Sequence, residues 1–148
     1  MLDDLNKQIV KVLNDNARTS FVEIGRQVGL SAPSVAERIQ KMEEKGYIEG
    51  YIPKLNLSKF DYLIQANIAL KITAHGFKVF RSRLKDFPEI YDCISVTGEH
   101  CVFLRAAVKS NDELEVLIEK LTVYGHTNTS IILSDYSDKT FFELIGFL

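Results

Sequence analysis

The chain has 148 residues, 46% hydrophobic and 26% charged, with 18 Lys+Arg against 20 Asp+Glu for a formal net charge of −2. That suits one ordinary domain or two small ones with a packed core, and it excludes both a disordered chain and a protein that coats nucleic acid by bulk charge. No apolar run approaches the ~18 residues of a membrane span. The acidic opening Met1-Leu2-Asp3-Asp4 does not read as a secretory signal, and two cysteines without an export signal point to a reducing, cytosolic setting.

Residues 1–52 read as helical. Asp3 or Asp4 caps a first helix with Leu5, Ile9, Val12 and Leu13 on one face, broken at Asn14-Asp15-Asn16. Ser20-Phe21-Val22-Glu23 is a capping box: the Ser20 hydroxyl accepts from the amide three residues on, and Glu23 reaches back. Ile24 and Val28 continue this second helix, and Gly29 ends it in a left-handed conformation. Ser31 caps a third helix, with Pro33 in the first turn, where a missing donor costs little. Val35, Ile39 and Met42 form its buried stripe, and Lys45-Gly46 its end. Tyr47-Ile48-Glu49-Gly50-Tyr51-Ile52-Pro53 alternates as a short strand pair or wing.

From about Gln65 the period becomes two: Ala66, Ile68, Leu70 and Ile72 alternate with Asn67, Ala69, Lys71 and Thr73. A helix follows with Phe77, Phe80, Leu84 and Phe87 on one face, stopped by Pro88. Two strands, 92–97 and 101–108, flank the turn Gly98-Glu99-His100. Ser110-Asn111-Asp112-Glu113 is a second capping box, opening a helix with Leu114, Leu117, Ile118 and Leu121 inside. Gly125 ends it, and 129–136 makes a last strand. The order β-α-β-β-α-β is that of ferredoxin-like folds. The chain is thus α+β: a winged helix-turn-helix module over 1–55 (motif about 21–40), a linker at 56–64, and a ferredoxin-like module over 65–148. Both modules are small, so association is expected.

Two short helices joined through Val28-Gly29-Leu30-Ser31 have the form of a DNA-reading helix-turn-helix, although an ordinary three-helix bundle fits the same spacing. The exposed face of the third helix carries Ser34, Glu37, Arg38 and Lys41, types that suit base edges and phosphates. Against this, residues 1–55 hold eight Lys+Arg and eight Asp+Glu, no net positive charge at all. A single such module binds DNA weakly, so a DNA-reading function requires several linked modules.

The chain resembles regulators of the Lrp/AsnC (feast/famine) family. The matching residues are Leu2-Asp3, Asn16-Ala17-Arg18-Thr19-Ser20, Val28-Gly29-Leu30-Ser31, Val35, Arg38-Ile39, Met42-Glu43, Gly46-Tyr47-Ile48, Gly50-Tyr51 and Val96-Thr97-Gly98-Glu99. The resemblance implies a cytoplasmic, nucleoid-associated transcription regulator that binds double-stranded DNA and assembles as homodimers, often as an octamer of four dimers. It implies a recognition helix on which Ser31, Ala32, Pro33 and Ser34 approach the major groove, Glu37 and Arg38 reach bases or phosphate, and Lys41 holds phosphate; Ser20 joins this set at the start of the preceding helix. It also implies an amino-acid effector near a Gly-x-x-Asp turn and a Thr-x-Thr run, here Thr97, Gly98, Glu99, His100 and Cys101 with Thr127 and Thr129. This chain departs from the pattern in having Cys101 where the family has aspartate. A carboxylate is the natural partner of an α-ammonium group and a thiol is not; Glu99 is the nearest substitute. The competing expectation is an effector-independent DNA organiser.

The face of the sheet away from the helices should include Cys93, Ala69, Phe103, Ala107 and Ile132, apolar enough to pack on a second sheet. The tail Phe141-Phe142-Glu143-Leu144-Ile145-Gly146-Phe147-Leu148 is also too apolar to stay free: docking on a partner subunit is expected, with a C-terminal strand on its own sheet as the alternative. Cys101 faces Val96 or Thr97, which leaves Cys93 ~13 Å away along the strand, beyond the reach of an intramolecular disulfide; free core thiols are expected, with an intersubunit bridge left open. His75, His100 and His126 lie at loops or element ends without metal-ligand spacing, so no metal, cofactor or catalytic residue is expected. Sirohaem decarboxylases resemble the same two-module pattern and supply the enzyme alternative, but none of the three histidines has a setting that demands a haem-facing role.

Overall fold

The computed structural model describes residues 3–99 and 101–135. The chain divides into two compact units that meet at Lys54 and Leu55.

The first unit is three helices: α1 (Asp4–Asp15), α2 (Phe21–Val28) and α3 (Ala32–Glu44). Each start is set by a side chain that replaces a missing helical acceptor. Asp3 Oδ1 accepts from the Asn6 amide at 2.7 Å, Ser20 Oγ from Glu23 at 3.2 Å and Ser31 Oγ from Ser34 at 3.3 Å. Gly29 terminates α2 at φ +73°. The reciprocal half of the Ser20 box is not made, because the Glu23 carboxylate is taken by Arg26 at 2.7 and 2.9 Å and by Gln27 at 2.8 Å. Ile9, Leu13, Ile24, Val28, Val35, Ile39 and Met42 form the core, each contributing on the order of 1.5–3 kcal/mol by burial. Gly25 lies where α2 meets the start of α3: a Cβ there would stand 2.3 Å from the Leu30 carbonyl oxygen.

The expected wing is not formed. Residues 47–53 carry no strand, because the amides of Tyr47 and Ile48 turn back to the Met42 carbonyl at 2.8 and 3.3 Å and close the end of α3. Ile48 packs on the core instead. The Tyr51 hydroxyl donates to Glu43 at 2.8 Å; burial first, then Glu43, pushes its pKa up to about 12.

In the second unit, residues 57–60 make a 3-10 turn. There follow β1 (Ile64–Lys71), α4 (Ala74–Arg83), β2 (Ile90–Ser95), β3 (Val102–Val108), α5 (Asn111–Thr122) and β4 (His126–Ile131). The sheet is antiparallel in the order β2-β3-β1-β4, the ferredoxin-like βαββαβ arrangement. Ala66, Ile68, Leu70, Val102, Leu104, Ala106 and Val108 face the helices, against Phe80, Leu114, Leu117 and Leu121. Phe80, Phe87 and Tyr124 cluster with ring centroids 5.2–6.0 Å apart.

Several boundaries differ from the sequence reading. Helix α4 stops at Arg83 and a 3-10 turn, Leu84–Asp86, carries the chain to the buried Phe87. The Ser110 cap forms, but Glu113 accepts from the Lys109 amide, one residue before the cap. Strand β4 begins three residues earlier than expected. Gly125 explains this: a Cβ there would lie 2.2 Å from the Lys71 carbonyl oxygen, so the backbones converge at glycine and the β1 ladder opens at once with Lys71 opposite His126. Cys93 is on the helix side rather than the open face, because it pairs with Leu104 and joins the core. Ala69, Phe103 and Ala107 take the opposite face, and Ile132 follows through its amide bond to Gln65 at 2.8 Å. Both cysteines are free thiols. The apolar tail at 141–148 and His100 lie outside the described residues.

Candidate nucleic-acid interface and effector end

On α3 the first turn presents Ser31, Ala32, Pro33 and Ser34, with Ser31 Oγ and Ser34 Oγ 2.8 Å apart. Ser31 and Pro33 are exposed, Ala32 and Ser34 partly so. Val35, Ile39 and Met42 anchor the helix from behind, leaving Glu37, Arg38 and Lys41 to continue the outward face. Ser20 sits apart from this cluster, at the cap of α2.

The charged members of the face are already paired. Lys41 Nζ lies 2.6 Å from Glu37, one turn away, and holds the Glu37 carboxyl below the usual range. Arg38 Nη1 reaches across to α1, donating to Asp3 at 2.7 Å and Asn6 at 2.9 Å. The guanidinium and the Asn6 amide together lower the Asp3 pKa. Asp3 and Asn6 are residues that sequence spacing could not find, being 35 and 32 positions from Arg38. The two ion pairs are solvent-exposed, with only the Arg38–Asn6 bond part-buried, so each is weak and exchanges readily for another anion. Arg38, Lys41 and Lys45 line one polar groove with Asn6, Ser34 and Tyr47, a surface whose cations can pass from carboxylate to phosphate.

The expected effector residues gather at one end of the sheet. The turn residues Thr97, Gly98 and Glu99 are exposed. The Cys101 amide donates to the Leu70 carbonyl at 3.2 Å, and its own carbonyl accepts from Val96 at 2.9 Å. On the other side of β1, Leu70 pairs with Thr127. Cys101 and Thr127 thus flank the same residue, and Glu99 bonds Lys71 next to it at 3.2 Å, a partner the sequence reading missed. Thr129 lies deeper, opposite Ile68, with its hydroxyl buried and unpartnered among the described residues. Cys93 is remote from this end, and burial, then Asp92, raises its thiol pKa. Among the described residues no group of three or more His, Cys, Asp or Glu is placed to hold a metal ion, and no helix is long and apolar enough to cross a membrane.

Comparison with known proteins matches both modules. Residues 2–43 match the profile of the AsnC-type helix-turn-helix domain, and residues 65–141 that of the Lrp/AsnC ligand binding domain. The HTH-type transcriptional regulator LrpA of Mycobacterium tuberculosis is 30% identical over 142 residues, 93% of this chain and 95% of its own. LrpC of Bacillus subtilis is 28% identical over 138 residues, 93% and 96% of the two chains. The solved structure of B. subtilis LrpC superposes with a TM-score of 0.87, covering 94% of this chain and 99% of the other at 28% identity. A feast or famine regulatory protein from M. tuberculosis, solved in complex with L-methionine, gives 0.86 over 95% and 98%, also at 28% identity.

Proposed function

The chain belongs to the Lrp/AsnC family of helix-turn-helix transcriptional regulators, and from that premise we propose that it controls transcription by reading double-stranded DNA with the first turns of α3. The observation that carries this is the outward face of α3, where exposed Ser31 and Pro33 lead the helix and Arg38 and Lys41 follow on one side. Helix N-terminal hydroxyls and amides suit groove and phosphate contacts, and the two cations supply charge. The helical unit has no net charge, so useful affinity needs several units on one stretch of DNA. The open face of the sheet, with Ile94, Val96 and Phe103 exposed, is the surface on which two copies pair. Dimers joined into larger rings, acting in the cytoplasm on the nucleoid, complete this reading. It assigns no catalytic residue.

The test is a gel shift with the full chain on fragments selected from its own genome, across about 50–200 mM salt, where phosphate-driven binding weakens steeply. Retention of selected fragments over random DNA, lost on Lys41→Ala together with Arg38→Ala, is the expected outcome. Equal retention of both DNAs refutes sequence reading.

Cys101 favours a second reading of the regulation. With no carboxylate at that position an ordinary amino acid loses the partner of its ammonium group, and the protein organises DNA without an effector. Calorimetry against the twenty amino acids decides between the two: heat with any of them, abolished in Glu99→Gln, supports an effector held through Glu99 and Lys71.

A further inference from the structure

On its open face the β2–β3 pair carries the exposed apolar residues Ile94 and Phe103 and, next along the same two strands, a pair of opposite charges. Arg105 on β3 stands in register between Asn67 of β1 and Asp92 of β2. All three point away from the helices, since their neighbours Leu104, Ala106, Ile68 and Cys93 belong to the core. The bulge between Ile90 and Asp92 brings Tyr91 to the same place. The Arg105 guanidinium lies 5.5 Å from the centre of the Tyr91 ring, and the Tyr91 hydroxyl donates to Gln65 at 3.3 Å. Arg105 Nη2 is 3.7 Å from Asp135, an ion-pair distance too long for a hydrogen bond. Its Nε is buried without a hydrogen-bond partner among the described residues. Asp92 is exposed beside it. The arginine thus lies against the Tyr91 ring and loosely paired with Asp135, with its Nε donor unspent among the described residues, next to a solvent-facing carboxylate.

We propose that Arg105 and Asp92 form a reciprocal ion pair across the sheet-to-sheet interface and thereby select a second copy of this chain as the partner. The proposal rests on the face-to-face pairing put forward above and adds what specifies it. Under two-fold symmetry residue i meets j and j meets i, so one adjacent cation and anion on each face make two pairs. Exposed Ile94 and Phe103 provide area but accept any apolar sheet. The charges reject a face that sets like against like or leaves one ion buried alone. Arginine and tyrosine are also residue types enriched among those that dominate interface energetics.

The experiment is light scattering behind size exclusion on the full chain as wild type, Arg105→Glu, Asp92→Lys and an equimolar mixture of the two variants, with circular dichroism to confirm folding. Wild type self-associates, and each reversal alone weakens association at least tenfold by setting like charges together twice. Mixing restores it, because the mixed dimer opposes the introduced glutamate to the introduced lysine and Arg105 to Asp92. Mixing relieves no repulsion within a chain, so rescue is specific to contact between copies. Folded variants that associate like wild type, or a mixture that fails to recover, overturn the pair while leaving the sheet-face dimer standing. A wild-type chain that stays monomeric overturns that dimer and the pair with it. Should reversal unfold the chain, Arg105→Gln and Asp92→Asn replace it: a double variant no weaker than either single one supports the pair, and additive losses overturn it.

Discussion

Replacing Gly25 with alanine sets two effects of opposite sign against each other inside the helix-turn-helix. Gly25 is helical, so alanine should gain about 1 kcal/mol in intrinsic propensity. The new methyl would, however, stand 2.3 Å from the Leu30 carbonyl oxygen. The start of α3 must then retreat by about 0.7 Å to reach even the tightest tolerable contact, an overpacking that costs about 1–3 kcal/mol. The same shift strains the bond from the Leu30 amide to the Gly25 carbonyl, now 2.9 Å, worth about 1 kcal/mol more. The clash wins by about 1–3 kcal/mol, and melting of the helical unit falls by about 5–20 °C. Because the displaced atoms adjoin the Ser31 cap, DNA affinity of the remaining folded protein falls as well. Gly29→Ala is the control: its added Cβ meets nothing within 4 Å, but φ is +73°. It costs about 1–2 kcal/mol through backbone strain alone and leaves the affinity of the folded protein unchanged. Melts followed by circular dichroism, with gel shifts below the transition, separate the two. A Gly25→Ala chain melting at or above the parent temperature refutes the close approach of α2 and α3.

The Arg38 contact yields a paired prediction. Arg38→Ala weakens operator binding by about 1–3 kcal/mol, whereas Asp3→Asn keeps the α1 cap, releases the guanidinium from its carboxylate and leaves binding intact or tighter; equal losses in both variants would show that Arg38 acts only by bracing α1. Acid pH acts on the same surface: Glu23 is drawn down to about 2 by Arg26 and Gln27, and Asp3 and Glu37 are lowered by Arg38 and Lys41. Each folded pKa lies below its unfolded value near 4, so their support is complete above about pH 5 and is lost as pH falls through the folded values; melting of the helical unit should be level from pH 7 to 5 and decline toward pH 2, and a level profile throughout contradicts the pairing. Thr129→Val replaces a buried hydroxyl that has no partner among the described residues with a methyl of similar shape, and urea titration should show stability unchanged or raised by about 1 kcal/mol; a loss above 1 kcal/mol would mean the hydroxyl is bonded.

Local devices were legible in the sequence because their physics spans three or four residues. The caps at Ser20, Ser31 and Ser110 and the left-handed stop at Gly29 all form. Features decided by distant backbone were not. The alternation at 47–53 suits a strand, but among the described residues no second strand lies beside it, and the amides of Tyr47 and Ile48 return to Met42 instead. Gly125 looks like a helix stop, yet its task is to let Lys71 approach. Cys93 turned on one residue of register: opposite Thr97, Cys101 would carry it to the open face, whereas pairing with Val96 sends it into the core. In the candidate interface the residue types of α3 were readable, but not that Arg38 would lean on Asp3 and Asn6 across more than thirty positions. Arg105 could have been found from its parity alone, between core residues Leu104 and Ala106.

The internal pairing on the helical unit changes what its neutrality means for DNA. Arg26, Arg38 and Lys41 each hold a carboxylate in solution, so no cation among these three meets a phosphate without releasing an anion. Exposed pairs contribute little, and their loss is nearly repaid by the phosphate contact, so exchange is permitted; the net gain per contact is smaller than for a bare cation. The Asp3, Glu23 and Glu37 carboxylates left behind also repel the backbone within about a Debye length, near 10 Å at 0.1 M salt. A single unit therefore binds in the weak range of non-specific contacts. Tethering a second unit turns the next contact into an intramolecular one at about millimolar effective concentration, which multiplies affinity by about 10²–10⁴ without any new residue. On the proposed pairing through the Arg105 and Asp92 face, self-association would set DNA affinity too, and a variant that keeps the chain monomeric should lose operator binding with every residue of α3 intact.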